Sequence, residues 1–378
     1  MMAENKRGMR ILIAGGGTGG HLFPGIALAQ ELVSRGQNHR ILFVGTSKGL
    51  EVRHVPQAGF ELKLIESRQL KGKGIMGWIS GLFHIPRAMW QSRRILREFR
   101  PDVVVGVGGY ASGPLVLTAW LKGVATMILE QNALPGLTNR ILGKLVKRVV
   151  VAFAETAKRF SSRKVLLLGN PIRRDLMENF LRSNEPKKGL HLLVLGGSQG
   201  AHTLNQVLPQ TVSLLEKRIP DLHVVHQTGA RDEQDVLDAY SSMGLGEKVE
   251  VVSFIDDMAH AYRMADVVVG RAGATSVTEL ALCKKPSVLI PFPFAADNHQ
   301  EINAKALVDA GAAEMIRESE LDPRGLADVV ASILCDPERR IKMEDAAGGV
   351  GRPEAARDVA EVCLELAGWS TSRVQEGI

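Results

Sequence analysis

The residues best suited to chemistry lie near the amino terminus, in Gly15–Gly20 followed directly by His21. An apolar run leads into five glycines and one threonine. Glycines between a strand and a helix permit positive φ angles and close approach of the backbone to a ligand. The first N–H groups of the helix then favour an anion. The segment therefore predicts a phosphate or diphosphate cradle, with Pro24 in the first turn of the helix.

A second candidate site lies between residues 253 and 303. The backbone of Ser253–Met258 leaves a predicted strand where it can pair with the edge of a base. Arg271–Leu280 is a glycine turn that opens a helix and can hold a phosphate. Glu279 lies about one turn into that helix, where a carboxylate can accept both hydroxyls of a ribose, the alternative being a solvated carboxylate. Asp297–Gln300 supplies the polar groups that a sugar-binding loop needs.

Several motifs are absent from the sequence, and their absence excludes classes of enzyme. There is no Gly-x-x-x-x-Gly-Lys-Ser/Thr motif, no Cys/His cluster and no Asp-x-Asp pair. Gly15–Gly20 fits the dinucleotide fingerprint only because nearly every position is glycine, and Val44–Thr46 brings no acidic residue to the second strand. We therefore expect neither a P-loop NTPase nor a nicotinamide enzyme, and no metal or cofactor.

Composition indicates an ordinary globular protein with 45% hydrophobic and 23% charged residues. The length of 378 residues favours two domains. A net charge of +6 permits a negatively charged partner without identifying it. Three cysteines without metal-ligand spacing indicate a reducing compartment. The amino terminus lacks an apolar signal core, and Leu115–Leu129 is interrupted by Lys122 and too short to span a bilayer, so we expect a cytoplasmic protein that can touch a membrane.

The order of elements predicts an α/β protein with two doubly wound, Rossmann-like parallel-sheet domains facing across a cleft. Strand, glycine loop and helix occur at residues 10–26 and again at 191–201. We place the first domain at 1–168 and the second at 169–352, with a carboxy-terminal helix at about 353–378 packing back on the first. The other predicted strands cover residues 40–45, 60–65, 101–110, 125–132, 149–153, 165–168, 222–226, 249–253, 267–270 and 287–290.

Residues 68–100 depart from this pattern because glycines, large apolar residues and cations alternate there. One interpretation is a helix with one buried face and one solvated basic face. The other is an apolar patch rimmed by cations that rests on anionic lipid headgroups. The patch would consist of Trp78, Ile79, Leu82 and Phe83 with Lys71, Lys73 and Arg87.

Eight motifs in order and at domain spacing carry a resemblance to a known family. They are Gly16–His21, Gly106–Tyr110, Glu130–Asn132, Gly169–Pro171 with Arg173, Gly196–Ala201, Phe254–Met258, Arg271–Ala274 and Asp297–Gln300. The chain resembles, essentially end to end, the MurG family, the GT-B N-acetylglucosaminyltransferases of peptidoglycan synthesis. The resemblance implies transfer of N-acetylglucosamine (GlcNAc) from UDP-GlcNAc to the C4 hydroxyl of the N-acetylmuramoyl (MurNAc) unit of lipid I. The product is the β-1,4-linked lipid II, formed with inversion.

The resemblance also implies roles for individual residues. In the second domain, Ile255 meets uracil through its backbone, Glu279 binds the ribose hydroxyls and Gln300 binds the sugar hydroxyls. The diphosphate is held by Ser198, by Arg173 and by the start of the helix that follows the glycine turn at residues 271–273. The candidate binding residues at the start of that helix are Ala274, Thr275, Ser276, Val277 and Thr278. The first domain contributes Thr18, Gly19, Gly20 and Asn132 to the sugar and phosphate.

The candidate catalytic residues are His21, Glu130 and Tyr110. His21 stands just before the predicted helix, whose positive dipole end favours the neutral base form. A structural or acceptor-binding role for His21 is the alternative. Glu130, Tyr110 and Asn132 remain candidates for positioning the acceptor. Arg173 and helix N-termini can stabilise the leaving diphosphate.

Two other functions remain open from the sequence. One is a GT-B glycosyltransferase acting on another acceptor, such as a diacylglycerol, a sterol or a natural product. The other is a binding protein without turnover, for nucleotide sugars or, through residues 87–100, for nucleic acid. We expect UDP-GlcNAc, lipid I and an anionic membrane surface as partners, no nucleic acid, and a peripheral location on the cytoplasmic face of the bacterial inner membrane.

Overall fold

The computed structural model describes residues 8–35, 38–47, 49–67, 74–182, 187–196, 201–295 and 298–369, and of residues 74–85 and 182 it describes the backbone alone. The chain divides into two compact units. Unit 1 comprises Met1–Arg174 and Arg352–Ile378, and unit 2 comprises Asp175–Gly351. The division therefore follows Arg174, whereas the sequence placed it after Leu168.

Unit 1 contains a seven-stranded parallel sheet in the order β3-β2-β1-β4-β5-β6-β7. Its strands are β1 (Arg10–Gly15), β2 (Arg40–Gly45), β3 (Glu61–Leu64), β4 (Val103–Gly108), β5 (Ala125–Glu130), β6 (Arg148–Val151) and β7 (Val165–Leu167). Its helices are α1 (Gly19–Arg35), α2 (Glu51–Gln57), α3 (Gly74–Phe99), α4 (Ser112–Leu121), α5 (Leu137–Leu145) and α6 (Ala154–Ala157).

Unit 1 has one core on each face of its sheet. Ile11 and Ile13 of β1 belong to one core, and Leu12 and Ala14 of the same strand belong to the other. Successive residues of a strand point to opposite faces, so a strand covered on both sides is a continuous apolar run. This is why such runs predicted the strands correctly.

Unit 2 contains a six-stranded parallel sheet in the order β10-β9-β8-β11-β12-β13. Its strands are β8 (Leu190–Leu195), β9 (Leu222–Gln227), β10 (Val249–Val252), β11 (Val267–Gly270), β12 (Ser287–Leu289) and β13 (Ala313–Met315). Its helices are α7 (Arg174–Arg182, beginning at the boundary), α8 (His202–Glu216), α9 (Glu233–Ser242), α10 (Met258–Met264), α11 (Ala274–Leu282), α12 (His299–Val308), α13 (Pro323–Leu334) and α14 (Pro337–Val350), with a 3-10 turn at Glu318–Glu320.

Each sheet reverses its strand order beside its first strand, between β1 and β4 and again between β8 and β11. In doubly wound sheets, ligands bind at this switch point, beyond the carboxyl ends of the strands. The predicted fold class is confirmed. Ligand-binding residues are therefore expected in the loops that follow these four strands.

The carboxy-terminal helix α15 (Ala355–Leu366) belongs to unit 1. Its side chains Val359, Ala360, Cys363 and Leu364 are buried in the same core as Ile11 and Ile13. Burial raises the pKa of the Cys363 thiol to about 12, so this thiol is neutral and serves as an apolar core group.

The start of α1 differs from the prediction. The helix begins at Gly19, so Pro24 lies beyond its first turn, and His21 is the third helical residue rather than the residue before the helix. The carbonyl of Thr18 accepts hydrogen bonds from the N–H groups of His21 (3.2 Å) and Leu22 (3.1 Å), and these bonds begin the helix without proline.

Candidate active site

The two glycine loops at the switch point of unit 1 contact each other through their backbones. The N–H of Gly16 donates to the carbonyl of Gly108 at 3.3 Å. Gly109 has a φ of +79°, and a Cβ there would lie under 3.0 Å from the carbonyl oxygen of Gly16. Glycine at 109 therefore permits both the backbone conformation and the close approach of the two loops.

Gln131 sets the protonation pattern of His21. The side-chain N–H of Gln131 donates to the carbonyl of Val107 at 3.1 Å, so its Oε1 faces Nδ1 of His21, also at 3.1 Å. An amide oxygen can only accept, so Nδ1 carries the proton and Nε2 carries the lone pair. Gln131 is 1% exposed, which keeps this arrangement fixed. The ring is thereby prepared to accept a proton at Nε2.

The carboxylate of Glu130 accepts hydrogen bonds from the loop that follows β5 and from α5. One oxygen accepts from the backbone N–H (3.0 Å) and the side-chain amide (3.3 Å) of Asn132. The other accepts from the N–H of Gly136 (3.1 Å) and the side chain of Asn139 (2.9 Å). Glu130 is 2% exposed. Four donors on this buried carboxylate hold the loop that carries Asn132 in place.

Tyr110 and Arg173 are two further candidate site residues of unit 1, each with its own contact. Tyr110 has an exposed side chain and accepts through its carbonyl a hydrogen bond from the hydroxyl of Ser67 at 2.7 Å. The guanidinium of Arg173 lies 5.4 Å from the ring centroid of Phe23 in α1. The sequence assigned Arg173 to the second domain, but it belongs to unit 1.

In unit 2, α11 begins with no side-chain cap, since Gly273 precedes it. The N–H groups of its first turn are the donors predicted to hold phosphate. The hydroxyl of Thr275 is buried and has no hydrogen-bond partner within the described residues. Val277, by contrast, has a buried side chain and donates its N–H to the carbonyl of Gly273 at 2.9 Å, so these two groups are not open to a ligand. The hydroxyl of Thr278 donates to the carbonyl of Ala274 at 2.8 Å.

Tyr262 orients Glu279. Its hydroxyl donates to Oε2 of Glu279 at 2.9 Å. Burial, followed by the charge of Glu279, raises the pKa of Tyr262 well above its ordinary value, so the hydroxyl remains a donor. Tyr262 is fully buried on α10. Because a phenol on a separate helix holds it, the carboxylate has a defined direction at the predicted ribose position.

Of the other residues predicted to bind the nucleotide sugar, the structure describes Ile255 and Gln300. Ile255 is half-buried in the segment that follows β10. Oε1 of Gln300 accepts a hydrogen bond from the N–H of Phe292 at 3.0 Å. Because the oxygen is used in this way, the amide nitrogen is the group of Gln300 that can donate to a sugar. Ser198 and Asp297 lie outside the described residues. Within the described parts of the chain, no group of three or more His, Cys, Asp or Glu side chains is arranged to hold a metal ion.

A buried polar network lies at the carboxyl end of β9. Nδ1 of His226 contacts the hydroxyl of Tyr240 and Nε2 contacts the side-chain oxygen of Asn205, each at 3.1 Å. Asn205 in turn donates to Asp232 at 2.8 Å. Burial lowers the pKa of His226 to about 3. The network is therefore satisfied by a neutral histidine.

Folding stability should decrease as the pH falls from about 6.5 towards 3, because the unfolded chain binds a proton at His226 in that range and the folded chain does not. One such group changes the free energy of unfolding by up to about 1.4 kcal/mol per pH unit. Urea unfolding at about pH 7.5 and about pH 5 measures this dependence. The His226→Gln variant should show a smaller difference between the two conditions; an unchanged difference would show that another group causes it.

Two doubly wound parallel sheets, with glycines after β1 and β4 in unit 1 and after β11 in unit 2, are the architecture of two-domain glycosyltransferases of the GT-B type. Residues 11–151 match the N-terminal domain of glycosyltransferase family 28, and residues 191–361 match its C-terminal domain. The chain belongs to glycosyltransferase family 28, and the resemblance to the MurG family is confirmed.

The relatives in this family match along nearly their whole length. One from Anaeromyxobacter dehalogenans is 55% identical over 362 residues, which cover 95% of this chain and 93% of the relative. One from Myxococcus xanthus is 53% identical over 358 residues, with the same coverage of 95% and 93%. Both are named UDP-N-acetylglucosamine–N-acetylmuramyl-(pentapeptide) pyrophosphoryl-undecaprenol N-acetylglucosamine transferase.

Solved structures agree with this assignment. The crystal structure of MurG from Acinetobacter baumannii has a TM-score of 0.76 at 30% identity, covering 94% of this chain and 99% of that one. A UDP-N-acetylglucosamine 2-epimerase has a TM-score of 0.69 at 12% identity, which shows a shared fold alone.

Proposed function

We propose that this protein transfers GlcNAc from UDP-GlcNAc to the C4 hydroxyl of the MurNAc unit of lipid I, giving the β-1,4-linked lipid II with inversion. The observation that carries the proposal is the 55% identity to a relative named for this transfer, over 95% of the chain. The base form of His21 and the oriented Glu279 supply groups that this chemistry needs.

Unit 2 binds the donor in this proposal. The backbone of Ile255 pairs with uracil, and Glu279, held by Tyr262, accepts hydrogen bonds from the ribose hydroxyls. The first-turn N–H groups of Ala274–Ser276, together with Ser198, bind the diphosphate. The amide nitrogen of Gln300 donates to the sugar. These contacts distribute recognition over four loops at the carboxyl ends of the strands.

His21 and its neighbours perform the transfer. Nε2 of His21 takes the proton from the C4 hydroxyl as its oxygen attacks the anomeric carbon of GlcNAc. The bond from that carbon to the diphosphate oxygen breaks, and the electron pair leaves with UDP. Helix N–H groups and Arg173 stabilise the charge that develops on the leaving group. Thr18, Gly19, Gly20 and Asn132 bind sugar and phosphate.

The test is UDP release measured with a panel of acceptors. UDP-GlcNAc with a short-chain lipid I analogue should release UDP far above the rate without acceptor. Diacylglycerol and sterol acceptors should leave the background rate unchanged. Release with one of those acceptors in place of lipid I would overturn the proposed substrate, and no acceptor-dependent release at all would indicate binding without turnover.

We also propose that unit 1 rests on the anionic cytoplasmic surface of the inner membrane, where a lipid-linked acceptor is presented. No described helix is both long and apolar enough to cross a bilayer. The predicted patch of Trp78, Ile79, Leu82 and Phe83 with Lys71 and Lys73 lies outside the described side chains. The described half of α3 buries one face and exposes a basic one, on which Arg87 pairs with Glu66 at 2.8 Å.

The described apolar surface that supports this proposal is the end of α4. Trp120 is 40% exposed and Leu121 is 61% exposed, and the exposed Lys122 follows them. An aromatic residue, an aliphatic residue and a cation in sequence suit the boundary between headgroups and acyl chains.

Changing both Trp120 and Leu121 to glutamate should lower the partition constant onto vesicles that contain anionic lipid by about a hundredfold or more, since each loses about 1.5–3 kcal/mol of apolar burial. Vesicle co-sedimentation measures the change. Leu237→Glu, at an exposed leucine of unit 2, is the matched control and should bind as the wild type does. Equal binding of all three proteins would remove this surface from the proposal.

A further inference from the structure

Glu51 is a buried carboxylate with no role in the mechanism described above. It is the first residue of α2 and is 1% exposed. Its Oε2 accepts the N–H of Gly17 at 2.7 Å. Its Oε1 accepts the N–H of Thr46 at 2.8 Å and the hydroxyl of Thr46 at 3.0 Å. One side chain therefore ties the loop after β1 to the loop after β2.

Three glycines make room for this carboxylate. A Cβ at Gly16, Gly45 or Gly49 would lie under 3.0 Å from atoms of the Glu51 side chain. Gly16 also has a φ of +141°. A side chain at any of the three positions would displace the carboxylate or the loop. The space is thus shaped around the carboxyl group of Glu51 from three separate points of the chain.

A buried carboxylate is costly unless its oxygens are hydrogen-bonded. The described residues record no ion pair with Glu51, so hydrogen bonds and its place in the first turn of α2 stabilise its charge. A hydrogen bond to a charged acceptor is stronger than one between neutral groups. The bond to Gly17 consequently holds the glycine loop more firmly than another backbone contact would.

The loop that Glu51 holds leads directly to the proposed base. Gly17 is followed by Thr18, whose carbonyl accepts the N–H of His21 and begins α1. The orientation of Gly17 therefore determines where Thr18 and the first turn of α1 lie. The side chain of Gln131 holds the ring of His21 through Nδ1.

We propose that Glu51 is a positioning residue for the transfer step, which it serves by fixing the loop Gly16–Thr18 and through it His21. This inference rests on the proposed transferase function. Glu51 is 1% exposed, and it acts by keeping the base where the reaction needs it. Misplacing a catalytic group by about 1 Å can cost about a hundredfold in rate.

Glu51→Gln tests the proposal because the two side chains have nearly the same shape. The amide must point its NH₂ group at either Gly17 N–H or Thr46 N–H, so two donors face each other and one link is lost. We expect kcat to fall by about 10- to 100-fold, while the Kd of UDP, measured by calorimetry, changes by less than about threefold, since the proposed uracil and ribose contacts lie in unit 2. Glu155→Gln, at an exposed glutamate in the first turn of α6, should retain the wild-type kcat.

A double mutant separates positioning from general destabilisation. If Glu51 acts through His21, adding Glu51→Gln to His21→Ala should lower kcat no further. A multiplicative loss, or a wild-type kcat in Glu51→Gln itself, would overturn the inference. If Glu51→Gln does not fold, Thr46→Val and Thr46→Ser test the inference instead. We expect kcat to fall in Thr46→Val, which removes the hydroxyl that donates to Glu51, and to stay at the wild-type value in Thr46→Ser, which keeps it. Absence of transfer by the wild type would instead refute the proposed function.

Discussion

Replacing His21 by alanine should lower kcat for transfer by about two to four orders of magnitude, the usual contribution of a general base. Nδ1 of His21 is protonated because it faces the amide oxygen of Gln131 at 3.1 Å, which leaves Nε2 as the proton acceptor. The KM for UDP-GlcNAc should change by less than about threefold, since the base contributes to the transition state and not to donor binding. Initial rates at saturating lipid I analogue measure both constants.

Gln131→Leu is the informative companion to this variant. It removes the acceptor at Nδ1 and lets the imidazole adopt the other tautomer, so we expect kcat to fall by about tenfold. His223→Ala, at an exposed histidine of unit 2, is the control and should retain full activity. If His21→Ala retained more than about a third of the wild-type kcat, His21 would have a structural role and the base would lie elsewhere.

Replacing Glu279 by alanine should raise the KM for UDP-GlcNAc by about 10- to 100-fold, because a hydrogen bond to a charged group contributes about 1.5–3 kcal/mol. The carboxylate is already oriented by Tyr262 at 2.9 Å, so little ordering is required when the ribose binds. The ribose is remote from the reacting carbon, so kcat should change little. Calorimetric titration with UDP should show the same loss of affinity.

Two comparisons make this prediction specific. Tyr262→Phe keeps the ring and removes the hydroxyl, and it should raise the KM by about three- to tenfold. A UDP analogue that lacks both ribose hydroxyls should bind Glu279→Ala and wild type equally. If Glu279→Ala weakened that analogue as much as it weakens UDP, the carboxylate would support the site without contacting the ribose.

The sheets could be predicted from sequence because buried parallel strands are continuous apolar runs. The run before Gly15 became β1, and the run before Gly196 became β8. β13 (Ala313–Met315) was not predicted, since an edge strand of three residues with one buried position has no such signal. The start of α1 was also misplaced. Proline favours a first turn, but the carbonyl of Thr18 begins this helix before Pro24 is reached.

The predicted site residues came from motifs, and motifs identify groups that are close together in sequence. The residues that orient them are far away along the chain. Gln131 lies 110 positions from His21, and Glu51 lies 34 positions from Gly17. Tyr262 lies 17 positions from Glu279 on a separate helix. Only the arrangement of the strands brings these pairs together, so no local pattern could have identified them.

Two motif residues have contacts in the structure that the sequence did not indicate. In the sequence, Glu130 could not be distinguished from a catalytic carboxylate. Its four hydrogen bonds show that it organises the loop that carries Asn132. Val277 lies inside the predicted diphosphate segment, but its side chain faces the core and its N–H is used within the helix.

The most direct test of the central claim is the structure of the product. The protein, UDP-GlcNAc labelled with ¹³C in the sugar and a short-chain lipid I analogue should give a disaccharide whose NMR spectrum shows a β linkage from GlcNAc to C4 of MurNAc. A product with an α linkage would contradict inversion. Recovery of the label only in free GlcNAc or in another acceptor would contradict the proposed transfer to lipid I.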